Sequence, residues 1–202
     1  MTSHPQHSHV YKDSTPIKKD RPKDFINEYA IGVVNLARLT ESNDLLPLAL
    51  LECCNLGGTI LQGFEREDGT REYLTTEDLG RCFTVKHKLA LRNAEGALKA
   101  TEASRAGFEP WYDEDECLEP DVCTKLLEAW HSLLSNGAVR LIAVDQLLAE
   151  GKEDLFRSQS LCQRCLEHMD ELFYRQRARF WNALPDIFGV TVSDDWRVKE
   201  NM

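Results

Sequence analysis

Residues 161–190 read LCQRCLEHMDELFYRQRARFWNALPDIFGV, and this stretch decides the class of fold. Its large apolar residues recur every three or four positions, the spacing that places them on one face of an α-helix. Pro185 and Gly189 stand where such a helix ends, because proline interrupts the hydrogen-bond pattern and glycine commonly follows the last turn. We therefore predict a long amphipathic helix that begins near Leu161.

The same apolar spacing recurs in earlier parts of the chain. The further predicted helices cover approximately residues 24–37, 45–56, 75–100, 123–134 and 141–148. Asp24 is placed to cap the first of them, and Thr75 with Asp78 resembles a capping box at the third. Between the second and the third, the pair Asp68-Gly69 favours the tight turn of a hairpin. The chain is thus predicted to be mainly α, a helical domain with a short hairpin or loop.

Composition divides the chain into four predicted parts. Residues 1–22 are rich in His, Ser, Pro and Lys and poor in large apolar residues, so we expect a disordered tail with solvated histidines. An N-terminal helical part follows over residues 23–105, and a C-terminal helical part over residues 106–190. Residues 191–202 are predicted to be a loose tail.

The net charge of -10 limits the classes of partner. A nucleic acid would be repelled unless a basic face were segregated from the acidic residues, so another protein is the expected partner. The acidic cluster of residues 113–116 is interpreted as a solvated loop. The sequence has neither a signal-like apolar run nor a stretch of membrane-spanning length, which predicts a cytoplasmic or nuclear protein.

Four of the seven cysteines form two close pairs, Cys117 with Cys123 and Cys162 with Cys165. Two such pairs can complete a tetrahedron of thiolates around zinc, and each pair stands at the start of a predicted helix, where backbone N–H groups favour negative charge. We predict a closed, structural zinc site on these residues. The first gap is wider than usual, so two alternatives stay open. The four thiols could be ordinary core residues, or His131 or His168 could replace one of them.

The remaining reactive residues suggest two other classes of function. Cys53, Cys54 and Cys82 lie in apolar helical runs and are interpreted as core residues, although Cys82 with His87, or a metal site with an open position, would suit an enzyme. Motifs of zinc deaminases, metalloproteases, phosphate-binding loops and dinucleotide-binding folds are absent from the sequence. A nucleic-acid-binding regulator is the second alternative, and it would use the basic stretch at residues 174–179.

Three segments together resemble a known family. They are NEYAIGVVNLARLTESNDLLPLALLECCNL at 27–56, GFEREDGTREYLTTEDLGRCF at 63–83 and RFWNALPDIFGV at 179–190, combined with the two cysteine pairs. They resemble the region that follows the BTB/POZ domain in BTB-domain proteins of mushroom-forming fungi. The resemblance implies a helical, adaptor-like region in which the four cysteines belong together. It does not extend to the BTB domain itself, which needs about a hundred residues.

These observations lead to one predicted function with two alternatives. We expect a protein–protein interaction or adaptor module with a structural zinc site on Cys117, Cys123, Cys162 and Cys165. A cysteine- or metal-dependent enzyme is the first alternative, and a nucleic-acid-binding regulator is the second.

Overall fold

The computed structural model describes residues 28–106, 117, 119–136 and 161–197, and these residues are mainly helical, as predicted. The α-helices are α1 (Tyr29–Leu39), α2 (Leu46–Asn55), α3 (Thr76–Ala106), α4 (Pro120–Ser135) and α5 (Gln163–Phe188). Short 3₁₀ turns lie at Asn43–Leu45, Gly57–Gln62 and Asp194–Trp196. The predicted tail at residues 1–22, the Asp24 cap, the acidic cluster at 113–116 and the helix over 141–148 lie outside the described residues.

A small hairpin joins α2 to α3. Strands β1 (Phe64–Glu65) and β2 (Arg71–Glu72) pair antiparallel, with Phe64 opposite Glu72. The Asp68 carboxylate closes the turn by accepting hydrogen bonds from the backbone N–H and the hydroxyl of Thr70, at 2.9 and 2.6 Å. The hairpin predicted at Asp68-Gly69 is confirmed.

The hairpin depends on a glycine at its entrance. Gly63 has φ 74° and ψ -172°, a conformation that L side chains rarely adopt, and a Cβ there would lie 2.4 Å from the Glu72 carbonyl oxygen. We expect Gly63→Ala to lower the free energy of unfolding by about 3 kcal/mol, because strain and overlap add. Urea unfolding measures this loss, with Gly58→Ala as the control. A Cβ at Gly58 meets open space. Equal stability of the two variants would contradict the role given to Gly63.

A buried ion pair fixes α1 against the start of α3. The Asp78 backbone N–H donates to the Thr75 hydroxyl at 3.1 Å, which confirms the predicted capping interaction. The Asp78 carboxylate also accepts two hydrogen bonds from Arg38, at 2.6 and 3.1 Å. Its side chain is only 3% exposed, whereas that of Arg38 is 35% exposed. The carboxylate is therefore buried, and Arg38 provides its two short hydrogen bonds, while the Arg81 Nε lies 3.9 Å from its Oδ1.

The apolar residues form two cores. The first core unites α1, α2, most of α3 and the C-terminal end of α5. The second unites the end of α3, α4 and the beginning of α5. Its members are Ala100, Cys123, Leu127, Trp130, Leu161, Cys165, Met169 and Leu172. Since opposite ends of α3 and α5 share each core, the two long helices run antiparallel. The cores therefore do not follow the predicted division at residues 105 and 106, because both long helices contribute to both.

The C-terminal helix continues through Pro185, contrary to the prediction that this proline contributes to its end. Helix α5 ends at Phe188, and Gly189 follows in the left-handed conformation at φ 63°. A proline inside a helix leaves the carbonyl four residues earlier without its usual donor. That carbonyl belongs to Trp181, and the Trp196 indole N–H donates to it at 3.4 Å.

The segment after α5 is packed, unlike the loose tail predicted from residue 191. The rings of Trp181 and Trp196 stack with centroids 4.4 Å apart and planes 7° apart. The Trp181 indole N–H donates to the Trp196 carbonyl at 3.2 Å. Ser193 donates its backbone N–H and its hydroxyl to the Asp44 carboxylate at 2.7 and 2.6 Å. The segment up to Trp196 is thus held against the first core by contacts with Trp181 and Asp44.

Candidate metal centre

The four paired cysteines meet at one end of the second core. Their Sγ atoms all lie within 4.8 Å of one another. The Cys117 Sγ is 3.5 Å from that of Cys165 and 3.7 Å from that of Cys162. The structure therefore brings together the four residues that the two sequence pairs single out.

Two helix starts position these side chains. Pro120 opens α4, where its missing N–H costs no hydrogen bond, and the Cys123 backbone N–H donates to the Glu119 carbonyl at 2.9 Å. Cys162 precedes α5 in an extended conformation, and its carbonyl accepts the Leu166 N–H at 3.0 Å. The spacing of three residues brings Cys165 into the first helical turn beside Cys162.

The surroundings of the cluster are apolar but offer some compensation for negative charge. Cys123 and Cys165 are buried, and Cys117 and Cys162 are half-buried. Burial raises the pKa of the Cys123 thiol and of the Cys165 thiol. The Cys162 backbone N–H donates to the Cys123 Sγ at 3.4 Å, a contact that side-chain spacing alone does not predict. Two buried thiols that resist ionisation need a cation in order to be present as thiolates.

The donor set fits a tetrahedral metal ion. Zinc–sulfur bonds of 2.3 Å imply sulfur–sulfur edges of about 3.8 Å. Two of the observed separations, 3.5 and 3.7 Å, agree with that edge, and the limit of 4.8 Å requires only small movements of the side chains. Four sulfur donors suit a zinc or an iron ion. The cluster could therefore hold a metal ion.

Neither histidine proposed as an alternative ligand belongs to this cluster. The group that could hold a metal, among the residues placed by the structure, consists of the four cysteines alone. The His131 Nδ1 instead lies 3.2 Å from the Thr101 hydroxyl, at the contact between α4 and α3. Of the arrangements left open by the sequence, the geometry favours the one with four thiols.

The other three cysteines lie in the first core, as the sequence predicts. The Cys54 Sγ lies 3.5 Å from the Cys82 carbonyl, and the Cys82 Sγ lies 3.8 Å from the Leu50 carbonyl. The hydrogen bond with Cys82, followed by burial, raises the pKa of the Cys54 thiol. Cys82 is 2% exposed, whereas His87 is exposed, five residues further along α3. The burial of Cys82 and the exposure of His87 argue against the cysteine–histidine pair, which is one of the two forms that the enzyme alternative could take.

The basic stretch on α5 does not form one basic surface. Arg175 is bonded to Glu171 at 3.1 Å, and its side chain is 17% exposed. Arg177 is half-buried, and Arg179 is exposed. Arg175 and Arg179, four positions apart, share one side of the helix, whereas Arg177 points to another side.

No helix among the described residues is long and apolar enough to cross a membrane. No family model, curated protein or solved structure matches the chain. The resemblance to the region after a BTB domain therefore stays a prediction. The class that fold and site define is a mainly helical protein with a candidate metal centre of four cysteines.

Proposed function

We propose that this chain is a helical protein–protein interaction module whose C-terminal part is held together by one structural zinc ion. The observation that carries the proposal is the group of four Sγ atoms within 4.8 Å of one another. Four protein ligands complete a tetrahedral shell and leave no open position for water or substrate. A metal bound there serves as a cross-link.

The position of the cross-link supports a structural role. The ion would join Cys117, just before α4, to the start of α5 through Cys162 and Cys165. Among the described residues, the second core beneath it includes Cys123 and Cys165 themselves. An ion bound by thiols of this core would therefore link the helix starts that the core packs together.

The exposed apolar side chains support the interaction role. Leu39 is 81% exposed and Leu36 is 55% exposed on α1. Single apolar residues at a surface are normal, but neighbouring ones on one helix commonly mark a contact site. The proposed task is therefore to present a rigid helical surface to another protein.

Metal analysis of the purified chain tests the proposal. We expect one equivalent of zinc in protein prepared from cells without added metal, and we expect cobalt to replace it with the visible absorption of tetrahedral thiolate coordination. Iron in place of zinc would be consistent with a metal cross-link but would show that the proposed metal, zinc, is wrong. Protein that contains neither metal, and that binds neither after reduction of its thiols, would reject the structural site.

A further inference from the structure

A second feature, separate from the cysteine cluster, is an open groove of about 600 Å³ between α1 and the hairpin. One wall is the outer face of α1, with Gly32, Leu36 and Leu39 at positions that share one side of the helix. The opposite wall is Phe64 of β1 and the turn that follows it.

The part of the groove around Phe64 is apolar, and close packing fixes its position. The Phe64 ring approaches Gly32 so closely that a Cβ there would lie 3.2 Å from it. The Tyr29 ring meets the Phe64 ring edge to face, with centroids 5.3 Å apart. These contacts hold Phe64 in place, while the side chains of Leu36 and Leu39 are left to solvent. The apolar part of the groove is therefore formed by Leu36, Leu39 and Phe64.

The rim of the groove carries negative charge. Among its lining residues, Glu67, Asp68 and Glu72 oppose a single Arg66, so three negative charges and one positive charge leave a net charge of -2. Arg66 is bonded to Glu72 at 2.9 Å, so the net negative charge of the rim comes from Glu67 and Asp68 in the turn. Hydrogen bonds from Thr70 lower the pKa of Asp68, so its carboxylate is ionised at neutral pH. A second copy of this chain, with its own net charge of -10, is electrostatically unfavourable here.

We propose that this groove binds a basic amphipathic helix of a partner protein. Apolar side chains one turn apart on that helix would fill the space beside Leu36, Leu39 and Phe64. Lysine or arginine side chains beside them would face Glu67 and Asp68. An amphipathic helix in a hydrophobic groove is a recurring mode of recognition, and charge complementarity adds specificity. The inference rests on the proposed role as an interaction module and names the chemistry of its partner.

Binding of designed peptides to the full chain tests this inference. The probe is a fluorescent helical peptide with leucines at helical spacing and lysines elsewhere, and the controls are a scrambled peptide and one with glutamates in place of the lysines. We expect saturable binding of the lysine peptide only, weakening as salt rises. In nitrogen-15 NMR spectra, the largest shifts should fall on α1 and the hairpin.

Matched variants assign the binding to the groove. The double variant Leu36→Asp/Leu39→Asp should weaken binding at least tenfold, and Glu67→Lys should weaken it several-fold and reduce its dependence on salt. The control is Leu91→Asp, which replaces a leucine about as exposed as Leu36 but outside the groove lining and should bind like the parent chain. Because Leu36 and Leu39 are exposed, the double variant should keep the parent's melting temperature and metal content.

Several outcomes would overturn the inference. They are equal binding by the double variant and the parent, equal binding of the glutamate peptide, and no saturable binding at all. A dimer of the parent chain that dissociates in the double variant would assign the groove to a second copy. Binding that appears only after removal of residues 1–27 would assign it to the chain's own N-terminal segment. Metal content and melting temperature are measured on the same samples, so failure of the groove is distinguishable from failure of the zinc site.

Discussion

The Cys165→Ser variant is expected to bind no zinc and to lose the structure of the second core. Zinc sites of this type in zinc-finger peptides bind with apparent free energies of roughly 10–16 kcal/mol, which exceeds the whole stability of many domains. Cys165 is both a buried member of the second core and a member of the four-thiol cluster. Its loss should therefore release α4 and the beginning of α5. Elemental analysis and amide hydrogen exchange measure the two effects.

Two comparisons separate the role of the metal from that of a buried thiol. Cys82→Ala removes a sulfur from the first core, so it should lower stability by about 1–2 kcal/mol yet keep one equivalent of zinc. A chelator added to the parent chain should reproduce the hydrogen-exchange pattern of Cys165→Ser, and added zinc should reverse it. If chelated and zinc-loaded protein exchanged alike in α4, the four thiols would be core residues without a metal-dependent role.

The Arg38→Met variant is expected to lower the free energy of unfolding by about 2 kcal/mol, because the buried Asp78 carboxylate loses both hydrogen bonds to the guanidinium and keeps only Arg81, whose Nε is 3.9 Å away. The Asp78 side chain is 3% exposed, so water cannot replace the guanidinium without movement of α1. Urea unfolding measures the loss. Adding Asp78→Asn should restore part of it, since the amide removes the charge and the backbone bond to Thr75 remains.

An exposed ion pair provides the control for this prediction. Arg71 is bonded to Glu65 across the hairpin, and the two side chains are 43% and 59% exposed. Exposed pairs contribute roughly 0–1 kcal/mol, so Arg71→Met should change stability by less than about 1 kcal/mol. If the two arginine variants lost equal stability, burial of Asp78 would not be the reason for the effect at Arg38.

Local patterns were enough to predict most of the helices and the grouping of the cysteines. The boundaries of α2 follow from Pro47 in its first turn and from Gly57 after its end. Thr75 and Asp78 mark the start of α3 because a capping interaction involves residues close in sequence. The two cysteine pairs could be assigned to one site because tetrahedral coordination needs four donors. The sequence did not show directly how close the two pairs lie in the fold.

Contacts between distant residues could not be predicted in the same way. Ser193 is bonded to Asp44 across 149 positions, and no periodic pattern links such residues. The role of Pro185 was misjudged for a related reason, because the indole N–H that bonds to the freed Trp181 carbonyl comes from Trp196. The groove beside Leu36 could not be predicted from the sequence either, because the apolar spacing on α1 does not show which of its residues the hairpin covers.

The first core contains residues from both ends of the described chain, and this affects folding during synthesis on the ribosome. Helices α1 and α2 are made early, yet they pack in the same core as Phe180, Leu184 and Val190, which are translated last among the core residues. In a nascent chain that stops before residue 180, those apolar faces stay exposed to solvent, where they can bind chaperones or aggregate. The native arrangement of the first core can therefore form only after nearly all described residues have been synthesised.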